Sequence, residues 1–239
     1  MYSNFNLYTK SLSHLPPGKI RINTLNAHSY NVVLKNKIFK EAILSSHVLL
    51  PDGISIVFAE AFINYRKIKK IPGEEIFKFE MNRLNSINGT CFFLGSNNDV
   101  LTSIVERAGL EYPNVKVETY SPPFRKKFSK KENNQIIKKI NIIKPDVLFV
   151  GMTAPKQEIW SYQNFDKIKT QRVIAIGAVF DFYAGTVSRS PQWLINLGLE
   201  WFFRMIKEPK RLWKRYLIGN STFVLNIFKE KIKYLKKGK

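Results

Sequence analysis

Apolar and polar positions alternate along this chain with two different periods. Short apolar runs rich in β-formers fall at Val32–Leu34, Val48–Leu50, Cys91–Leu94, Val115–Tyr120, Asp146–Val150 and Arg172–Ile176. Segments with the 3.6-residue spacing of an amphipathic helix lie at Ile54–Tyr65, Glu75–Leu84, Val100–Ala108 and Lys130–Ile143. Strand and helix patterns in alternation predict an α/β domain, Rossmann-like, with a largely parallel sheet flanked by helices. Three of the predicted strands run into a turn and then a helix: Phe93-Leu94-Gly95-Ser96-Asn97, Phe149-Val150-Gly151-Met152-Thr153-Ala154-Pro155 and Ala175-Ile176-Gly177-Ala178-Val179. Ligands of open α/β sheets bind at the carboxyl ends of the strands. A glycine there lets backbone approach a ligand, and the helix start that follows favours phosphate. One such turn is usually a plain connection; three on one sheet, at Gly95, Gly151 and Gly177, point to a nucleotide site.

The pattern changes after about Pro191. From Trp193 to Tyr216 aromatic residues interleave with Arg204, Lys207, Lys210, Arg211, Lys214 and Arg215, and Pro209 breaks or restarts a helix. The tail Phe228–Lys239 alternates lysines with Ile232, Tyr234 and Leu235. This divides the chain into a catalytic α/β domain over 1–190 and a basic, aromatic helical appendage over 191–239. Helices with one basic and one apolar face lie in membrane interfaces and are drawn to anionic lipid. The competing reading is a C-terminal helix packed on the core with its lysines solvated.

Charge sharpens this picture. With 39 Lys and Arg against 18 Asp and Glu, the formal net charge is +21 over 239 residues. Such a balance calls for an anionic partner: nucleic acid, an acidic membrane or a phosphorylated substrate. Met1–Lys19 carries no apolar core of a signal peptide, and no run approaches the roughly 18–20 apolar residues of a membrane span. The expected location is cytoplasmic, peripheral on the inner face of the membrane. Cys91, the single cysteine, sits in an apolar run and reads as a core residue.

Three clusters can carry chemistry. Asp52 follows an apolar run and is held between Pro51 and Gly53, a rigid corner that can aim its carboxylate into a strand-end crevice. It reads either as a general base for a sugar hydroxyl or as the N-cap of the next helix. Lys156, Gln157 and Glu158 open a helix after a strand; Lys156 suits phosphate, and Gln157 and Glu158 suit a sugar or base. Equally, they make an ordinary helix start with Pro155 at the first helical position. Asp181, between Phe180 and Phe182, faces a pocket or bonds nearby amides. His14, His28 and His47 lack zinc spacing, and neither a P-loop nor a Gly-x-Gly-x-x-Gly fingerprint is present. No two aspartates are separated by one residue, the arrangement many nucleotide-sugar enzymes use for a divalent metal. The expectation is a reaction without metal or other cofactor, in which arginines, lysines and helix N-termini meet a leaving phosphate.

Ordered motifs from about Ile22 to Val224 resemble the WecG/TagA/CpsF glycosyltransferases, glycosyltransferase family 26. They are Asn23-Thr24-Leu25-Asn26, Pro51-Asp52-Gly53, Ile71-Pro72-Gly73-Glu74-Glu75, Phe93-Leu94-Gly95, Ser121-Pro122-Pro123-Phe124, the run Val150–Glu158, the run Ile176–Gly185, and Arg189-Ser190-Pro191. Leu197-Gly198-Leu199-Glu200-Trp201, Arg204, Glu208-Pro209, Arg211 and Arg215-Tyr216 complete the set. The resemblance implies inverting transfer from a UDP-sugar to an undecaprenyl-diphosphate-linked sugar for a cell-surface polysaccharide. It implies a donor of N-acetylmannosamine, its uronic acid or glucose. By the same resemblance Asp52 matches the family's base, Thr24 acts near the donor with Asn26 in the same motif, and Gln157 lies at the donor site. Gly53 belongs to the base motif, and Arg204, Arg211 and Arg215 fall where appendage arginines meet the diphosphate. The family often has Arg near Lys70, so Lys70 offers a point charge in place of a fork. It usually has Gly at Thr153 and Asp at Glu75, which bears on the backbone fit around the donor. A homo-oligomer is compatible with the family. Two readings compete: a non-catalytic membrane-surface scaffold of the same fold, and a nucleic-acid-binding protein suggested by charge and aromatics, for which no binding motif is present.

Overall fold

The computed structural model describes residues 2–188 and 190–237, leaving aside the side chains of 3, 192, 196, 211, 234 and 237. Six strands form one sheet: β1 (Ile20–Leu25), β2 (Val48–Pro51), β3 (Thr90–Gly95), β4 (Lys116–Tyr120), β5 (Val147–Gly151) and β6 (Arg172–Ala175). Their order is β2-β1-β6-β5-β3-β4, and every pairing is parallel. Parallel strands need covered faces, and the two-residue alternation supplies both. Ile22, Phe93, Phe149 and Ile174 point to one face, Leu25, Leu94, Val150 and Val173 to the other.

The first face is covered by α4 (Gly73–Ser86), α5 (Asn98–Glu111) and α8 (Gly177–Tyr183), which bring Phe77, Ile104 and Phe180 onto it. The second is covered by α1 (Ala27–Val33), α2 (Lys37–Leu44) and α3 (Ile54–Asn64) at one end, and by α6 (Lys130–Ile143) and α7 (Lys156–Asn164) at the other. Local rules place these helices. Ser129 and Glu132 form a capping box for α6, and Asn97 caps α5 by accepting from the Val100 amide. The connection after β3 runs over the first face and that after β5 over the second. Between these adjacent strands the sheet opens a crevice at its carboxyl end.

Two sequence expectations need correction. Residues 32–34 are not a strand: Val32 and Val33 lie in the last turn of α1, with Leu34 as its C-cap, and Asn26 and Ser29 start that helix with a capping box. The strand beside β2 is instead Ile20–Leu25, which the apolar count passes over because Arg21 and Asn23 interrupt it. Both polar side chains are buried: Arg21 donates to the carbonyls of Ala42 and Ser45, and Asn23 donates to Ser46. Tertiary partners let polar residues occupy an inward face.

Past residue 190 the chain forms α9 (Gln192–Asn196), α10 (Glu200–Lys207), α11 (Pro209–Trp213), a π turn over Lys214–Ile218 and the long α12 (Gly219–Lys237). Pro209 does restart a helix. The helix α12 lies against α1 and α3, with Phe223 and Ile227 buried and the Phe223 ring edge-on to Tyr30 at 5.2 Å. Asn31 donates to the Gly219 carbonyl at 2.7 Å, and Lys231 lies over the Tyr65 ring at 3.7 Å. The helix therefore has one face in the core through Phe223 and Ile227, and of its lysines Lys231 is buried while Lys229, Lys233 and Lys236 are exposed. Among the described residues, no helix is long and apolar enough to cross a membrane.

Candidate active site

A cavity of about 1520 Å³ runs along the carboxyl ends of the strands and is roofed by α9, α10 and the π turn. All three strand–glycine–helix turns open into it. The glycines themselves serve a purpose different from the one expected. A Cβ on Gly151 would meet the Phe180 ring at 2.7 Å, one on Gly177 the Gln157 Oε1 at 2.5 Å, and one on Gly95 the Gly151 carbonyl. Protein, not ligand, fills those three positions. They let β3, β5, α7 and α8 converge so tightly that the remaining space becomes a shaped wall.

The Asp52 corner is built by pairing. Leu25 faces Pro51 in the β1–β2 register, and the Asp52 amide donates to the Leu25 carbonyl at 2.8 Å. Gly53, at φ +95°, is the N-cap of α3 and makes no side-chain cap. Asp52 is therefore not a capping aspartate; its carboxylate turns to the cavity and keeps partial access there. Burial pushes that carboxyl up to about 6, and Glu200 on α10 adds to the rise. A hydrogen bond from Asn26 and the charges of Arg215 and Arg204 pull the other way. Thr24, one residue before the end of β1, lies on the same wall.

Arg204 and Arg215 reach this end of the cavity from the roof. The Arg204 guanidinium lies over the Phe182 ring at 5.0 Å. Arg215 sits in the π turn, an extra residue in the helical ladder that re-aims the side chains around it. Its charge acts on Asp52, on Glu158 and on His28. Arg211 is in α11, but its side chain, like all of Arg189, lies outside the described residues. Lys70 lines the cavity and donates to the Ile195 carbonyl at 3.2 Å, tying α9 to the body of the domain.

From the β5 side of the cavity, α7 starts at Lys156 with Pro155 as its N-cap, one position later than expected. Gln157 and Glu158 are buried in the cavity wall, with Gln157 donating to Glu158 at 2.9 Å. Burial pushes the Glu158 carboxyl up to about 7. Lys156 also borders the cavity, but its ammonium is held by the Arg125 carbonyl at 2.6 Å and by the Phe128 ring at 3.8 Å. It anchors the loop over 121–128. Asp181 and Phe182 line the wall from α8. Thr153 has φ +63°, a left-handed conformation costly for a β-branched residue and natural for glycine.

Two groups at the site were not singled out by the sequence reading. His28 faces the cavity from α1, its imidazole pushed down to about 4 by burial and by Arg215. Glu200 stands near Asp52 across the cavity mouth. Zinc spacing was the wrong filter for His28. Glu200 lay within a quoted motif, but only the folded chain brings it near Asp52. Among the described residues, no three His, Cys, Asp or Glu gather where they could hold a metal ion.

A doubly covered parallel sheet with a carboxylate and arginines lining one large strand-end cavity defines an α/β protein with a ligand-binding site of enzyme type. A model of the family described as "Glycosyl transferase WecG/TagA/CpsF family" matches residues 6–237. The chain belongs to that family and is a glycosyltransferase. Among its relatives is the N-acetylglucosaminyldiphosphoundecaprenol N-acetyl-beta-D-mannosaminyltransferase of Bacillus subtilis strain 168. It is 32% identical over 210 residues, covering 87% of this chain and 79% of the relative. Proteins of the same name from Bacillus spizizenii strain W23 and Staphylococcus aureus strain MW2 are 29% and 26% identical. They cover 74% and 89% of this chain, and 67% and 82% of their own lengths.

Proposed function

We propose that the chain transfers N-acetylmannosamine from its UDP derivative to N-acetylglucosaminyl-diphosphoundecaprenol, in the synthesis of a cell-surface polysaccharide. The names of its relatives support this acceptor and this sugar. The observation that carries the reading is the Asp52 corner, with a desolvated carboxylate opposite Arg204 and Arg215 in one cavity.

In this reading Asp52 accepts the proton of the acceptor hydroxyl as that oxygen attacks the anomeric carbon. The bond from that carbon to the diphosphate breaks, and configuration inverts. Arg204 and Arg215 offset the charge that gathers on departing UDP, so no metal is assigned to the step. Asn26 steadies the carboxylate by its hydrogen bond. Thr24, Gln157 and Glu158 hold the donor, and the appendage over 191–239 closes the site from above. The appendage also rests on the inner membrane surface: Trp193, Phe202, Ile206, Leu225, Phe228 and Ile232 are exposed among its lysines. That surface brings the cavity to a lipid-linked acceptor.

The test is UDP release by the full-length chain given a short-chain polyprenyl-diphospho-N-acetylglucosamine and a panel of UDP-sugars. Turnover with UDP-N-acetylmannosamine alone supports the assignment. Turnover with another donor replaces the sugar and keeps the mechanism. UDP-sugar binding without turnover, on this and a second lipid-linked acceptor, favours the non-catalytic scaffold.

A further inference from the structure

The outer face of α3 is apolar where a surface helix normally carries charge. Ile56, Ala59 and Ile63 turn inward and are buried. The opposite stripe holds Ile54, Phe58, Phe62 and, at the C-cap, Tyr65, at the three- and four-residue spacing that stacks side chains along one face. Ile54 is 52% exposed and Phe58 48%, while Glu60, the single charged residue of α3, is buried. The Phe58 and Phe62 rings stack at 5.7 Å, and the Phe62 ring meets Phe228 of α12 at 4.9 Å. Contiguous apolar surface of this kind on a chain of net charge +21 marks an interaction site.

The stripe begins inside the cavity. Ile54 lines it together with Asp52 and Gly53 and is at the same time half-exposed, so the cavity opens onto the stripe. Gly198 of the roof packs against Ile54, and its neighbours Leu197 and Leu199 are exposed. From Ile54 the stripe runs about 12 Å to Phe62 by the helical rise. The segment over 66–70 then leads from the end of α3 back to the cavity and carries Arg66, Lys67, Lys69 and Lys70. At its end the Ile71 amide donates to the Pro51 carbonyl at 2.8 Å, and Lys70 lines the cavity. A cation at the mouth and an apolar stripe leading away from it match an amphiphile with an anionic head and a hydrocarbon chain.

We infer that Ile54, Phe58 and Phe62 seat the first isoprene units of the lipid-linked acceptor, with its diphosphate beside Lys70 at the cavity mouth. This rests on the polyprenyl-diphosphate acceptor reading above and adds to it the path by which the chain leaves the site. A bilayer reaches only the outer surface. The stripe starts next to Asp52, where a chain attached to the reacting sugar has to emerge.

Calorimetry with farnesyl diphosphate and dimethylallyl diphosphate, below their micelle concentrations and without vesicles, tests the stripe apart from turnover. The full-length protein should bind the farnesyl compound about 10-fold more tightly, because the longer chain buries more apolar surface. Phe58→Ser should remove most of that difference. Phe58→Leu should keep it, as should Leu110→Ser, which removes an exposed leucine on α5. In kinetics, Phe58→Ser should raise KM for N-acetylglucosaminyl-diphosphofarnesol by a similar factor and leave donor KM unchanged. Equal affinity of the unaltered protein for the two diphosphates would overturn the proposal. So would a chain-length preference that survives in Phe58→Ser. Loss of vesicle binding in that variant would then assign the stripe to the bilayer, and dissociation of a dimer would assign it to a second copy of the chain. Chain-dependent binding that Phe58→Ser removes, in a protein that turns over no lipid-linked sugar, would keep the stripe and reject the transfer reading.

Discussion

Asp52 carries the most direct prediction at the scale of the residue. Its carboxyl lies at about 6, above the usual 3.8, because burial disfavours the charge. A base must be ionised, so kcat/KM should rise with pH along a limb near 6 and level off above it. Stability should move in the opposite sense. The folded state binds the proton more tightly than the unfolded chain, so this group favours folding fully below about 4 and loses that contribution as pH rises to about 6. Asp52→Asn should therefore raise Tm at pH 7 while lowering kcat by about 100-fold or more. Calorimetry and UDP release on the same sample check both; full activity would remove Asp52 from the mechanism. Gly177→Ala makes the reverse case. The added methyl takes the place of Gln157 Oε1, so activity should fall with little change in the circular dichroism spectrum. Thr153→Gly should relieve left-handed strain of about 1–3 kcal/mol, less the entropy a glycine adds to the unfolded chain, and raise Tm modestly.

At the scale of the element, the segment past residue 190 is joined to the domain at distinct points. Gly198, at φ +73°, packs so that a Cβ would lie 3.1 Å from Ile54, the first residue of α3 just beyond the Asp52 corner. Lys70 holds α9 through the Ile195 carbonyl. A valine at 198 should strain the backbone and push α10 away from the corner, separating Arg204 and Glu200 from Asp52. The expected outcome is a large loss of kcat with far-UV circular dichroism retained. The helix α12 behaves differently because its Phe223 is part of the core with Tyr30 and Ile227. Phe223→Ala should cost about 3–5 kcal/mol, seen as a lower urea midpoint for the whole chain. Equal unfolding midpoints for variant and parent would mean that α12 is not packed as described.

For the whole molecule, charge and exposed apolar surface act together. In the proposed membrane reading, the +21 balance would draw the chain to an anionic surface, where the exposed Trp193, Phe202, Phe228 and Ile232 would give apolar contact. Binding to vesicles containing phosphatidylglycerol should exceed binding to neutral phosphatidylcholine vesicles. Raising salt from 0.1 to about 0.5 M should weaken it as screening shortens the range of the charges. Phe228→Ser with Ile232→Ser should reduce partitioning and leave UDP binding intact. Vesicle binding that ignores both lipid charge and these side chains would refute an appendage lying on the membrane.

The amino-acid pattern alone determined the layered α/β class, five of the six strands, the helix after each glycine turn and the Asp52 motif. These are local properties: a two- or 3.6-residue period and a turn residue at its end need no distant partner. The strand Ile20–Leu25 was hidden because the side chains of Arg21 and Asn23 donate to carbonyls and hydroxyls supplied by α2 and the loop after it, which no local pattern shows. Tertiary structure alone decided that Asp52 faces a cavity and does not cap α3, and that Gly95, Gly151 and Gly177 make room for protein atoms. It also placed Glu200 and Arg215, some 150 positions further along, in the field of Asp52. The reason is physical: a pKa and a missing Cβ are properties of the space between elements, and that space exists only once the sheet is closed on both faces.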